Sequence, residues 1–553
     1  MYGFIDVILN GHIILNIIFI IISILLIILN KKLSPKSKII IILIPLIISL
    51  IHAIIFNFKG NHYIGLHYFD NIYIPAFCFL FLLLCISQKK IYKILTILLL
   101  PICIIGFFQS VTILSGSYTI HNYTHLSYTK SFKKLMSTLK KEYVLNDWKQ
   151  INYDELEKEY LPLIEKAERN HDEKLYYETI FKFMDNFKDG HVGATCLTKK
   201  CREIMQELDI NNYYGFDTVL LDDGRIIAFN IKEDSSAYKQ GLRDYDTITK
   251  RDDKDILEYL NDYYYHTLGS PVEYNERLIN STKIFYRGED KTTITYLDKN
   301  KKSHTVEINN YEKIGERFDQ TLLSYRHLNN YATEMLTDNI GYLNITSEYT
   351  NRKKDLLSYI TGNTTYAKQP IINNLNTLKE EGMEKLIIDL RGNGGGFFHI
   401  SGSYAEPFTE DNFIYSRAKR HLGYDNYKVK GSGEFKDLPI VVLVNANTIS
   451  AADTLLEIYS RNPNVTIIGL MPSNNSSQEI GGKIYLTDSS INVFYALFNS
   501  MTEDDKIYID PDNNRQESIK LDVKIPINEE TINKLINNND YVLDYAINYL
   551  KEN

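Results

Sequence analysis

Leu386-Ile387-Ile388-Asp389-Leu390-Arg391-Gly392-Asn393-Gly394-Gly395-Gly396 is the stretch on which the fold turns. Its first residues form a short apolar run of the kind that sits in a strand buried on both faces. The glycines that follow let the backbone approach a ligand closely and turn its N–H groups toward it. A phosphate cradle has that need, but no Gly-Lys-Ser/Thr follows, and the spacing fits neither a P-loop nor a dinucleotide fingerprint. An oxyanion hole has the same need, with donors fixed where negative charge develops. A plain glycine turn fits the local sequence equally well.

Outward from this stretch, strands and helices alternate. Ile340-Gly341-Tyr342-Leu343-Asn344-Ile345 reads as a strand, 370–382 as a helix, and Lys385 to Leu390 as a buried strand. Ile440 to Val444 is another strand, followed by a helix from about 451 and a strand at Val465 to Ile468. This rhythm predicts an α/β core around a largely buried sheet. Earlier, at 128–186, the three- and four-residue spacing of Phe132, Leu135 and Leu139, and later Leu161, Leu163 and Ile164, predicts helices. Short β-type runs split by turns, such as Leu221-Asp222-Asp223-Gly224, fill 213–310.

Two further pieces carry chemistry. Ser450 stands where the strand Ile440-Val441-Val442-Leu443-Val444 gives way to a helix, in Asn445-Ala446-Asn447-Thr448-Ile449-Ser450-Ala451-Ala452-Asp453. Its hydroxyl can project from the sheet's carboxyl end as a nucleophile, with the Ala451 N–H helping to bind an oxyanion. From local sequence alone, an N-cap is the commoner role for such a serine. Asp189-Gly190-His191-Val192 ends the helical region. Histidine suits a serine nucleophile as base because its pKa lies near neutrality, although a lone histidine is also a common structural residue.

The chain has 553 residues and a formal net charge of -8, long enough for several domains. No Lys/Arg-rich block points to nucleic acid. The mean hydropathy of -0.22 averages two unlike parts. Up to about 116, Ile, Leu and Phe dominate, with apolar runs at about 4–29, 39–57, 72–87 and 94–114. Each is near the ~17–25 residues that cross a bilayer. Lys31, Lys32, Lys36 and Lys38 follow the first run, and Lys89, Lys90 and Lys93 the third. The positive-inside rule places both loops in the cytoplasm, so the N-terminus and everything after 116 are expected outside. Cys78, Cys85 and Cys103 read as small buried hydrophobes. Cys196 and Cys201 could bridge in an oxidising compartment.

The order of the pieces resembles the tail-specific, or C-terminal-processing, peptidase family and its tricorn-core and retinoid-binding-protein-like relatives. The resemblance covers about 125–550, from Asp147-Trp148 through Asp189-Gly190-His191, the Leu386–Gly396 stretch and Ser450-Ala451-Ala452-Asp453 to Leu521-Asp522-Val523. It implies a ClpP/crotonase-like βαβ protease core at 320–553, a helical subdomain at 125–210 and a PDZ-like insert at 211–310. These would follow a four-helix transmembrane domain at 1–116. Within it, Ser450 maps to the nucleophile, and Ala451 with Gly395 or Gly396 to the oxyanion donors. A Ser/Lys subtype would need a lysine soon after the strand at 465–468. Gly469 to Gln478 holds no lysine, and Lys483 comes later, where it would fit only if the turn were lengthened. The tricorn-like subtype uses a histidine, which maps to His191, plus a late acid for which Asp522, Glu517 and Asp510 are candidates. Tyr214-Gly215-Phe216 maps to the insert's peptide-carboxylate loop.

The expected protein is a membrane-anchored serine endopeptidase acting on polypeptides outside the cytoplasm. It needs no metal or organic cofactor and leaves its oligomeric state open. Departures at Gly190, Tyr245, Asp453 and Leu521 keep one alternative in view: a degenerate protease fold that binds peptides as a sensor.

Overall fold

In a computed structural model the described residues are 119–553, except 211, 263–269, 312–316, 338, 352–353, 356–357, 359–361, 421–422 and 539, with isolated residues before 119. The four apolar runs, apart from Ile94, and Cys78, Cys85 and Cys103 lie outside them. Among the described residues no helix is long and apolar enough to cross a membrane. Tyr153–Asn170 has the length, at 18 residues, but carries Asp154, Glu155, Lys158 and Glu165. This corrects the expected fold class: what is described is a mixed α/β protein, without the helical membrane domain.

The described chain divides into two compact units. One comprises residues up to Leu135 with Arg420–Gly423 and Gly481–Asn492. There the strand Thr119–Asn122 runs parallel to residues 482–485, with Ile120 opposite Lys483. The other comprises Met136–Lys419, Tyr424–Ile480 and Val493–Asn553, and holds the main sheet.

That sheet has six strands in the order Val523–Lys524, Val465–Gly469, Ile440–Leu443, Lys385–Asp389, Ile340–Asn344, Thr333–Met335. The first five run parallel and the last antiparallel. Strand period divides its side chains between two cores. Leu386, Ile388, Ile440 and Val442 join the cluster under the helices Thr365–Glu380, Phe398–Ala405 and Ala451–Ser460. Ile387, Val441 and Leu443 join the cluster under Glu529–Asn537 and Tyr541–Glu552. Both faces are therefore dry, which is why these strands read as unbroken apolar runs. The helix expected at 370–382 starts earlier, at Thr365. Burial of Ala367 and Ile371 holds the extra turn despite Pro370. In Tyr153–Asn170 the core side is Leu156, Tyr160, Ile164 and Ala167, while Leu163 is exposed.

Residues 217–309 form an antiparallel sheet in the order Asp217–Leu220, Ile226–Phe229, Thr247–Arg251, Lys291–Leu297, Ser303–Asn309. One face makes its own core around Ile226, Ala228, Ile248 and Ile294. The other, through Val219, Ile227 and Phe229, joins the cluster on the main sheet. Tyr245 sits at φ 72, the left-handed region that glycine enters most easily.

The Asp and Arg that flank Leu390 are structural. The Arg391 guanidinium binds Asp389 (Nε–Oδ1 2.9 Å, Nη2–Oδ2 2.7 Å) and Asp540 (2.7 and 2.8 Å). Tyr342 OH donates to Asp389 at 2.8 Å. Asp540 also caps the last helix through the Leu543 N–H at 3.1 Å. This cluster fastens the C-terminal helix beneath the glycine stretch. Arg391→Ala leaves the buried Asp389 uncompensated and should cost about 3–5 kcal/mol of stability in urea denaturation. A loss below about 1 kcal/mol would contradict this role.

Candidate active site

Beyond Ile440–Leu443 the chain is docked onto the glycine stretch before it reaches Ser450. Asn445 Oδ1 accepts the Gly392 N–H at 3.1 Å, Thr448 Oγ1 donates to Leu390 O at 2.8 Å, and Ile449 N–H donates to Asn393 O at 3.0 Å. Ser450 then takes φ 68, ψ -125, a conformation that costs a non-glycine residue on the order of 1–3 kcal/mol. It occupies the N-cap position of Ala451–Ser460, but its side chain caps nothing. Its N–H donates to Ser476 O at 2.9 Å. Among the described residues its half-buried hydroxyl has no hydrogen-bond partner. The N-cap alternative therefore falls.

Gly395 lies directly against it. At φ +88, a Cβ on Gly395 would sit 2.6 Å from Ser450 Cβ and 2.8 Å from Ile449 O. The Gly395 N–H, however, donates to Asn393 Oδ1 at 2.9 Å. Among the described residues the Gly396 and Ala451 N–H groups donate to no acceptor. Of the two glycines expected as oxyanion donors, Gly396 has the free amide and Gly395 supplies the close approach. Behind them Asn393 Nδ2 donates to Glu348 Oε1 at 3.0 Å and to Ile345 O at 3.1 Å. Glu348 N–H donates to Gly395 O at 3.2 Å, and Phe397 N–H to Glu348 O at 3.1 Å. The Glu348 carboxyl is fully buried, and burial raises its pKa to about 8 against the Asn393 hydrogen bond. Sequence reasoning passed over Glu348, because a single Glu after a strand gives no signal.

His191 is buried and joined to a residue that sequence reasoning also missed. Its Nδ1 lies 2.8 Å from Ser476 Oγ, and Ser476 Oγ donates to Asp189 Oδ1 at 2.9 Å. Asp189 accepts the His191 N–H at 2.8 Å and Tyr143 OH at 2.7 Å. Burial lowers the His191 pKa, with Asp189 acting the other way. Gly190 fits here because a Cβ would lie 2.4 Å from Asn474 Oδ1 and 2.7 Å from Ile449 Cδ1. Ser476 is placed by Asp453, whose carboxyl accepts the Asn475 N–H at 3.0 Å and the Ser476 N–H at 2.9 Å. Burial raises the Asp453 pKa to about 7, against these hydrogen bonds.

The three acid candidates separate. Asp510 is buried beside this cluster, accepting the Ser477 N–H at 3.2 Å with Lys149 Nζ 3.4 Å away. Asp522 accepts the Ile467 N–H at 2.8 Å, a strand-pairing role. Glu517 lines a separate cavity with Leu220, Tyr274 and Arg515. Lys483 lies within the strand Glu479–Tyr485. In the 217–309 sheet, Tyr214 and Phe216 are core side chains, Tyr214 OH donates to Glu289 O at 2.7 Å, and Ser235 fills the space above Gly215. A second serine–histidine contact, Ser358 with His399 at 2.7 Å, has its hydroxyl committed to Asp355 O at 2.7 Å. Cys196 and Cys201 are disulfide-bonded. Among the described residues no group of three or more His, Cys, Asp or Glu could hold a metal ion.

Residues 339–505 match the family model of Peptidase family S41. That segment contains Ser450, the glycine stretch, Glu348 and Ser476, but not His191. A carboxyl-terminal-processing protease of Picosynechococcus sp. is 31% identical over 103 residues, 19% of this chain and 25% of that protein. The one of Synechocystis sp. is 29% identical over 103 residues, 19% and 24%. The chain thus spans about a quarter of the curated relatives it matches. Among solved structures, mature CPAF aligns with TM-score 0.47 at 12% identity, covering 75% of this chain and 98% of CPAF. The photosystem II D1 C-terminal processing protease aligns with TM-score 0.34 at 15%, covering 75% and 98%.

Glu348 gives a pH test. Its folded pKa near 8 lies above the ordinary 4.5, so the folded state holds a proton that the unfolded chain releases. Its contribution to stability therefore falls as pH rises through that window. Glu348→Gln keeps the acceptor for Asn393 and removes the titration. Relative to wild type, its melting temperature should rise between pH 5 and pH 9, and equal offsets at both pH values would refute this.

Proposed function

We propose that the chain is a serine peptidase that cleaves polypeptides, with Ser450 as nucleophile and His191 as general base. The observation that carries the reading is the Ser450 conformation, at positive φ with Gly395 packed against it and a matched peptidase-family segment around it, where among the described residues the Ser450 hydroxyl has no partner and the Ala451 and Gly396 amides donate to no acceptor. Ser450 Oγ attacks the scissile carbonyl as His191 removes its proton, and the two amides receive the oxyanion of the tetrahedral intermediate. His191 then returns the proton to the leaving amine, and water releases the acyl group by the same steps. The Cys196–Cys201 disulfide supports an oxidising, extracytoplasmic location for this part of the chain.

Labelling of the full chain with a fluorophosphonate probe tests the assignment. Wild type and Lys483→Ala should label at Ser450, while Ser450→Ala and His191→Ala should not, all four with the same far-UV circular dichroism. Loss on Lys483→Ala alone would move the base to that lysine. Because burial holds His191 below the ordinary imidazole value of 6.5, the acid limb of kcat/KM should lie below that pH. A limb above 6.5 would remove His191 as the base.

A further inference from the structure

We infer that Ser476 is a positioning residue that links His191 to Asp189 and so fixes which imidazole nitrogen is the base. The inference rests on the peptidase reading above and adds a member to its machinery. Ser476 is fully buried, and both of its hydroxyl contacts are short: 2.8 Å to His191 Nδ1 and 2.9 Å to Asp189 Oδ1. A hydroxyl has one proton to donate. The Asp189 carboxylate cannot donate one, so the Ser476 proton points to Asp189 and the oxygen accepts from Nδ1–H. This sets the neutral tautomer: Nδ1 carries the proton and Nε2 carries the lone pair. Among the described residues Nε2 has no hydrogen-bond partner, so it is the nitrogen left to act.

The same residue is tied to the nucleophile through its backbone, since Ser476 O accepts the Ser450 N–H at 2.9 Å. Ser476 is therefore attached at once to the nucleophile's main chain, the base and the acid. When His191 takes up a proton at Nε2, the positive ring is stabilised by Nδ1–H donating to Ser476 Oγ, polarised in turn by Asp189. No proton needs to leave Nδ1 or Ser476 for this. Asp189 acts through a hydroxyl rather than by touching the ring, and the hydroxyl comes from a loop 285 residues away in sequence. Gly190, next to His191, has no side chain to supply it.

A double-mutant cycle on the full chain tests this, using a fluorogenic peptide and fluorophosphonate labelling with peptide mapping. Ser476→Ala keeps the backbone bond to Ser450 and should lower kcat roughly 10²-fold, the low end of what positioned proton transfer provides, with KM changed less than about twofold. Losing the contact destabilises the imidazolium, so the acid limb of kcat/KM should move to lower pH. The charged and titratable groups to be weighed are Asp189, which acts on the ring directly, Tyr143 and the Asp510–Lys149 pair beside Asp189, and Asp453 on the Ser476 backbone. Asp189→Asn should act in the same direction, and the double variant should be little worse than either single, because both break one chain of contacts. Thermal melts separate misfolding from this result: the limb and the coupling are read only on variants melting within a few degrees of wild type, and Ser476→Gly replaces Ser476→Ala if the latter does not. A Ser476 variant with wild-type kcat and an unmoved limb, or fully additive effects, would overturn the link while leaving the peptidase reading intact. A probe adduct on Ser476 rather than Ser450 would overturn both. So would a folded wild type that neither labels nor turns over.

Discussion

The buried carboxyl of Asp453, in the first turn of Ala451–Ser460, holds the Asn475 and Ser476 N–H groups, and most of the site hangs on those two hydrogen bonds. A carboxyl taken fully out of water is costly unless its oxygens find donors. Here the donors are two consecutive backbone amides, and the helix N-terminus beside it adds a favourable field. The 473–478 loop is thereby held against the helix Ala451–Ser460. From it Ser476 O reaches Ser450 N–H and Ser476 Oγ reaches His191 and Asp189. Asn475 Oδ1 accepts the Ile519 N–H at 2.6 Å, and Gln478 bridges Ser500 N–H and Tyr508 O at 2.7 and 2.8 Å. One buried acid thus aligns chain segments from both ends of the larger unit.

The sheet contributes rigidity of a different kind. Apolar side chains leave both faces of Lys385–Asp389 and Ile440–Leu443, so neither strand can slide without moving residues between cores. Their carboxyl ends are fixed side by side, with Ile388 opposite Val442 and Asp389 opposite Leu443. The glycine stretch and the Ser450 turn leave from these ends. They meet closely enough that Gly395 has no room for a Cβ. The Ser450 backbone strain is sustained because the loop before it and the helix after it are anchored separately.

What the sequence disclosed follows the range of the interactions. Strands at 340, 385, 440 and 465 were legible because burial on both faces leaves an apolar run in the chain itself. Ser450 and the glycines were legible as positions, since a strand's end followed by small residues is a local pattern. Ser476, Glu348 and the use of Asp189 were not. Ser473-Asn474-Asn475-Ser476-Ser477-Gln478 has no apolar residue to signal burial, yet all six residues are 6% exposed or less. Their burial is satisfied by partners such as Asp453, Asp189, Tyr508 and Ile519, and no local period records those. The acid expected late in the chain shows the same limit. Asp522 looked equivalent to Asp510 until strand pairing claimed it.

Two of the departures noted in the sequence have physical explanations rather than signalling decay. Tyr245 adopts the left-handed backbone that makes glycine usual at such a turn, and its N–H still bonds Ala228 O at 2.7 Å. At Gly190 a Cβ would press on the ends of the Asn474 and Ile449 side chains, which pack closely there. A site losing its chemistry would be expected to lose contacts that serve only chemistry. Here the site has a serine kept at positive φ without capping its helix, two amides without acceptors among the described residues, and a buried Ser476 between histidine and carboxylate. Strain and unmet hydrogen-bonding capacity both destabilise a fold, and the proposed nucleophilic role of Ser450 would account for their coincidence there.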